Sequence, residues 1–218
     1  MIQLIIYDLD GTLIDSRRDI VNAVNWTLNE LGLKELRPER ISSFVGNGVT
    51  NLMRETLQAA TPVPAGYLNR AIKIFRKRYG EHLLDTTRLY PAVRKVLEFF
   101  KERKQAVMTN KPEGFSRVIV EGLGIDSYFF RIVGGDQGFP KKPDPAAVRY
   151  ILNSIRVSPG ETMLVGDSAT DIETGRNAGV VTASVTYGFG KREEIESARP
   201  DFILEDLEEL TQCPLLKT

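Results

Sequence analysis

Asp8 and Asp10 close an apolar run at residues 2–7. Thr109 and Asn110 close the run Gln105 to Met108, Lys142 lies in a loop ahead of a helical pattern, and Asp167 and Asp171 follow the run Thr162 to Val165. Open parallel sheets bind ligands beyond the carboxyl ends of their strands, so these residues are expected to meet. Clustered carboxylates raise one another's pKa unless a cation neutralises them, and an all-oxygen donor set selects magnesium. A divalent cation together with Lys142 would offset most of the charge of four aspartates. That leaves an electropositive opening for a phosphate dianion, with the Thr109 hydroxyl and backbone N–H groups as donors. An ionised aspartate can attack phosphorus to form an aspartyl-phosphate that water later hydrolyses. Asp10 could protonate the leaving alcohol and then deprotonate that water.

Such a set needs a sheet to hold it. Apolar runs at 2–7, Gln105 to Met108, Ile132 to Val133, Thr162 to Val165, Val180 to Val185 and Phe202 to Leu204 read as strands. Helical patterns separate them: Val93, Val96, Leu97 and Phe100; then Val118, Val120 and Leu123; then Val148, Ile151 and Leu152. The alternation predicts an α/β fold, a Rossmann-like parallel sheet with helices on both faces.

From Asp15 to Asp85 the alternation stops, and helical spacing without a strand predicts an inserted all-helical module. Ile20, Val24, Leu28 and Leu31 mark one helix, Pro38 suits the first position of a second, Val49 to Ala60 reads as a third, and Leu68, Ile72 and Phe75 mark a fourth. Thr61 to Gly66 is expected to be a loop, and Leu89-Tyr90-Pro91 marks the return to the sheet.

The chain has 218 residues, 42% hydrophobic and 27% charged, which excludes disorder and collagen-like structure. Its 29 basic and 29 acidic residues cancel, so no global field favours nucleic acid or an anionic membrane. The single Cys213 cannot form an intrachain disulfide, and the start from Met1 to Tyr7 is too short for a signal segment. A cytoplasmic setting is therefore expected.

Four motifs in order, Asp8-Leu9-Asp10-Gly11-Thr12-Leu13, Thr109-Asn110, Lys142-Pro143-Asp144-Pro145 and Gly166-Asp167-Ser168-Ala169-Thr170-Asp171, resemble the haloacid dehalogenase superfamily, in its phosphoglycolate-phosphatase-like branch. The resemblance covers nearly the whole chain. It implies that Asp8 is the nucleophile and Asp10 the general acid and base. Magnesium would be bound by the Asp8 carboxylate, the Asp10 backbone carbonyl and Asp167, with Asp171 in or near the metal shell. Thr109, Lys142 and the Asn110 backbone would hold the phosphoryl group. Residues 1–14 and 86–218 would form the catalytic core and residues 15–85 a helical cap carrying substrate recognition. The implied partner is a small phosphorylated metabolite, acted on by a monomer or homodimer.

Within that cap, Gly46-Asn47-Gly48 reads either as a turn between helices or as a specificity loop. Asn47, Asn51 and Arg54 share a face if the helix begins near Asn47, and a solvated face accounts for Arg54 equally well. Gly188-Phe189-Gly190 reads as a turn at the sheet rim, Trp26 as packed between helices and His82 as exposed near a helix end; none of these, nor Cys213, is given a catalytic role. Phosphoglycolate is the expected substrate, with pyrophosphatase, nucleotidase and sugar-phosphate phosphatase activities as alternatives on the same scaffold. A phospho-receiver domain uses similar residues, but such domains are about half this length and lack an inserted module.

Overall fold

β1 (Leu4–Tyr7) is buried along its whole length, as expected of a strand flanked and covered on every side. A computed structural model describes residues 1–60 and 66–216, so the expected loop at Thr61 to Gly66 lies, except for Gly66, outside the described residues. After β1 come β2 (Ile14–Asp15), α1 (Arg17–Glu30), α2 (Pro38–Ser42), α3 (Val49–Ala59), α4 (Tyr67–Glu81) and β3 (Arg88–Leu89). The chain continues through α5 (Val93–Phe99), β4 (Lys104–Met108), α6 (Glu113–Gly122), β5 (Arg131–Val133), α7 (Ala146–Ile155) and β6 (Thr162–Gly166). Then come α8 (Ala169–Ala178), β7 (Val181–Val185), α9 (Arg192–Ala198) and β8 (Phe202–Leu204), followed by short 3-10 helices at Leu207–Gln212 and Pro214–Leu216. Two compact units result, Met1–Asp15 with Leu89–Thr218, and Ser16–Arg88.

In the first unit six parallel strands run in the order β5-β4-β1-β6-β7-β8. This is an α/β, Rossmann-like sheet. Side chains alternate between its faces. Leu4, Ile6, Met108 and Leu164 pack against Val148, Ile151 and Leu152 of α7. On the opposite face Gln105 Nε2 donates to the Leu97 carbonyl of α5 at 3.0 Å, while Gln105 Oε1 accepts from the buried Tyr7 hydroxyl at 3.2 Å. Tyr7 pairs with Val107 on one side and Val165 on the other, so the strands that precede Asp8, Thr109 and Asp167 end almost level.

The second unit is helical. Ile20, Val24 and Leu28 of α1, Leu52, Met53 and Leu57 of α3, and Ala71, Phe75 and Tyr79 of α4 are buried at helical spacing. Asp19 of α1 is buried and accepts hydrogen bonds from the backbone and hydroxyl groups of both Thr86 and Thr87, which ties the first helix to the end of the unit. Trp26 is not packed between helices as expected. It is 39% exposed, with the Arg78 guanidinium 5.0 Å over its ring. His82 caps α4 and pairs with Asp85 at 2.7 Å.

β2 and β3 form a separate two-stranded ribbon that sequence periodicity did not announce, because two residues are too few to show alternation. No helix among the described residues is long and apolar enough to cross a membrane.

Candidate active site

β1 ends at Tyr7, and Asp8 N–H still donates to the Val165 carbonyl of β6 at 2.9 Å, which fixes the first carboxylate at the tip of the central strand. The chain then turns tightly. Gly11 (φ +87°) donates to the Ile14 carbonyl, and Leu13 and Ile14 both donate back to Leu9. β4 delivers Thr109, anchored by donation to the Val133 carbonyl at 2.9 Å, and the Asn110 side chain accepts from Lys142 N–H at 3.0 Å. Thus Asn110 holds the loop that carries Lys142.

Asp8, Asp167 and Asp171 are buried, and each brings a carboxylate oxygen within 4.8 Å of the other two. Lys142 Nζ lies 2.6 Å from Asp171 Oδ1 and 2.9 Å from Asp8 Oδ1. The first contact is a hydrogen bond and the second an ion pair, so one buried ammonium serves both carboxylates. Asp171 is the third residue of α8. Its other oxygen accepts from Ser168 N–H at 3.2 Å and Ser168 Oγ at 2.6 Å, a capping box at the helix start. Asp167 accepts from Thr12 Oγ1 at 3.1 Å, Phe189 N–H at 2.7 Å and Gly190 N–H at 3.3 Å.

The charges are unbalanced. Three carboxylates face the single Lys142 ammonium, and the result is visible in their proton affinities. Burial, with the negative Asp171 beside it, pushes Asp8 up to about 6 against the opposing pull of Lys142. Burial and the charges of Asp171 and Asp8 push Asp167 up to about 7. Burial also works against the charge on Lys142, but Asp171 and Asp8 outweigh it and hold the ammonium above the ordinary lysine range. A divalent cation fits this set: the donors are hard oxygens, they converge within 4.8 Å of one another, and their negative charge exceeds that of the one ammonium facing them.

Asp10 belongs to the same turn, but its carboxylate is engaged by Lys111, Nζ to Oδ1 at 2.6 Å, with the ammonium almost wholly buried. Sequence reasoning missed Lys111, whose only signal was its place directly after Thr109-Asn110. The 188–190 segment, read from sequence only as a turn at the sheet rim, wraps Asp167 closely enough that a Cβ on Gly188 would overlap the carboxylate.

The remaining expected residues lie in the helical unit. Gly46 (φ +117°) and Gly48 (φ +78°) take backbone conformations that favour glycine, and Gly48 is the N-cap of α3. The helix therefore starts at Val49, and Asn47 stands outside it rather than on a face shared with Asn51 and Arg54. Arg54 is exposed and donates to Asn51 Oδ1 at 2.9 Å, and Asn51 donates to Glu55 at 2.8 Å.

A family model described as haloacid dehalogenase-like hydrolase matches residues 5–185. The chain belongs to that family. It is 38% identical over 204 residues to a phosphoglycolate phosphatase of Aquifex aeolicus (strain VF5), covering 93% of this chain and 92% of the relative. It is 33% identical over 217 residues to one of Vibrio parahaemolyticus serotype O3:K6, covering 97% and 95%. Among solved structures, a predicted phosphoglycolate phosphatase from Haemophilus somnus 129PT superposes with a TM-score of 0.93 at 30% identity, covering 97% of each chain. The protein is a phosphatase of the haloacid dehalogenase family, in its phosphoglycolate-phosphatase-like branch, which sets aside the receiver-domain alternative.

Proposed function

We propose that this phosphatase is a magnesium-dependent phosphomonoester hydrolase that converts 2-phosphoglycolate to glycolate and phosphate through an aspartyl-phosphate on Asp8. The observation that carries the reading is Asp8 itself: a buried carboxylate at the tip of the central strand, with the Lys142 ammonium 2.9 Å from its Oδ1 and the Asp167 and Asp171 carboxylates beside it. Asp8 attacks phosphorus while Asp10 gives a proton to the departing alcohol oxygen. Water then attacks phosphorus, the bond from phosphorus to Asp8 breaks, and Asp10 accepts a proton from that water, which restores both carboxyl groups to their starting states. Thr109, the Asn110 backbone and Lys142 hold the phosphoryl oxygens. Magnesium, held by Asp8, the Asp10 carbonyl, Asp167 and Asp171, would supply positive charge between the carboxylates and the phosphoryl group. The helical unit acts as the cap, with Gly46, Asn47, Gly48 and Arg54 as its contacts to the leaving group. The choice of phosphoglycolate is supported by the names of the Aquifex and Vibrio relatives.

The test is phosphate release with magnesium across a panel of phosphoglycolate, pyrophosphate, nucleoside monophosphates and sugar phosphates, ranked by kcat/KM. Phosphoglycolate should rank first, and Asp8→Asn should abolish turnover while leaving the melting curve intact. A folded Asp8→Asn enzyme with near-normal rates overturns the covalent route, and another ester ranking first overturns the substrate.

A further inference from the structure

Asp10 and Lys111 stand 101 positions apart in the chain, yet their side chains meet at 2.6 Å with only 4% of the lysine and 13% of the aspartate side chain exposed. The lysine is fixed from its own backbone as well: its N–H lies 3.3 Å from Thr109 Oγ1 and its carbonyl accepts from Gly135 N–H at 2.9 Å. It is a second buried ammonium in the first unit, on the Asp10 side of the carboxylate group, whereas Lys142 serves Asp8 and Asp171.

We propose that Lys111 is the group by which the core recognises a carboxylate on the leaving alcohol, sharing its ammonium between that carboxylate and Asp10. This rests on the reading of Asp10 as the acid and base, because that role puts the ester oxygen within hydrogen-bond distance of Asp10. In a 2-phospho carboxylate the carboxyl carbon lies two covalent bonds, about 2.4 Å, from that ester oxygen. An α-carboxylate on an alcohol held at Asp10 is therefore within reach of Lys111 Nζ, which lies 2.6 Å from Asp10 Oδ1. An ammonium shielded from water interacts strongly with such a charge, because the surroundings screen it poorly. A neutral alcohol gains nothing from it, so Lys111 determines specificity for anionic leaving groups of two-carbon reach, a preference built into the core itself.

The test compares 2-phosphoglycolate with 2-hydroxyethyl phosphate, which has a similar length and no carboxylate, on the full chain with magnesium. Lys111→Met should lower kcat/KM for phosphoglycolate about 10- to 100-fold more than for the neutral ester, chiefly through KM, and Lys111→Arg should restore most of the preference. Equal losses on both substrates, carried by kcat, would reduce Lys111 to a positioning residue for Asp10 and overturn the proposal. Glycolate binding by calorimetry separates this inference from the phosphatase reading. It is compared in Asp10→Asn and in Asp10→Asn with Lys111→Met, variants in which the buried aspartate carries no charge to be stranded. Glycolate should bind at least about tenfold more weakly to the second. Equal binding overturns the role of Lys111 whatever the turnover assays give, whereas loss of binding without hydrolysis of any ester keeps it and overturns the phosphatase mechanism.

Discussion

Gly11 faces the Asp167 carboxylate with no space for a side chain: a Cβ on Gly11 would overlap both the carboxyl carbon and its oxygens, at a φ of +87° that already favours glycine. The turn after β1 and the loop after β6 are thereby pressed together. Gly11→Ala should lower kcat by about 100-fold or more, since displacing a reacting group by about 1 Å costs that much, while the sheet still folds. Near-normal kcat would mean that this close approach is not needed for alignment.

Asp167 is the clearest test of the metal. It is held by Thr12 and by two backbone N–H groups, so its removal deletes one oxygen donor without unthreading the others. Asp167→Ala should raise the magnesium concentration for half-maximal activity about 10- to 100-fold, on the scale by which disturbed coordination weakens metal sites. Titration of magnesium into chelator-treated enzyme measures it, and full activity in excess chelator would contradict the assignment.

Asp19 predicts the acid stability of the helical unit. Burial alone would raise its pKa, but the donors of Thr86 and Thr87 outweigh burial and hold it below the usual carboxylate range. A depressed folded pKa means that the stabilisation is complete above the unfolded value, about 3.9, and is lost as pH falls through the folded one. Melting curves between neutral and acidic pH should show wild type losing stability on acidification, and Asp19→Asn should be less stable at neutral pH with a flatter acid limb. Parallel curves for the two proteins would refute the linkage.

Arg54 tests recognition by the helical unit. Its guanidinium is exposed and bonded to Asn51, which a solvated helix face also explains. If it contacts the substrate carboxylate, Arg54→Ala should lower kcat/KM for phosphoglycolate by about tenfold or more and leave an uncharged aryl phosphate nearly unchanged. No change on either substrate would return Arg54 to the solvated face.

The strands that carry the site could be read from the chain because a fully covered strand must be apolar along its length, as Leu4–Tyr7 and Thr162–Gly166 are, and because polar residues follow them immediately. What stayed hidden was of two kinds. Phe189 and Gly190 act through backbone N–H groups, which leave no mark in residue type. Lys111 acts through a partner 101 residues away, and that pairing depends on β1 and β4 lying side by side in register. The start of α3 at Val49 was legible in the chain, whereas the face shared by Asn47, Asn51 and Arg54 needed a helix beginning near Asn47, which Gly48 as N-cap at φ +78° does not allow.

The ribbon of Ile14–Asp15 and Arg88–Leu89 means that the chain leaves the sheet unit and returns to it along paired strands. Residues 16–88 are thus a cassette whose two ends are already neighbours, and excising or exchanging it asks little of the scaffold on either side of the cut. The same architecture offers protein engineers a ready graft point, provided the ribbon residues are retained.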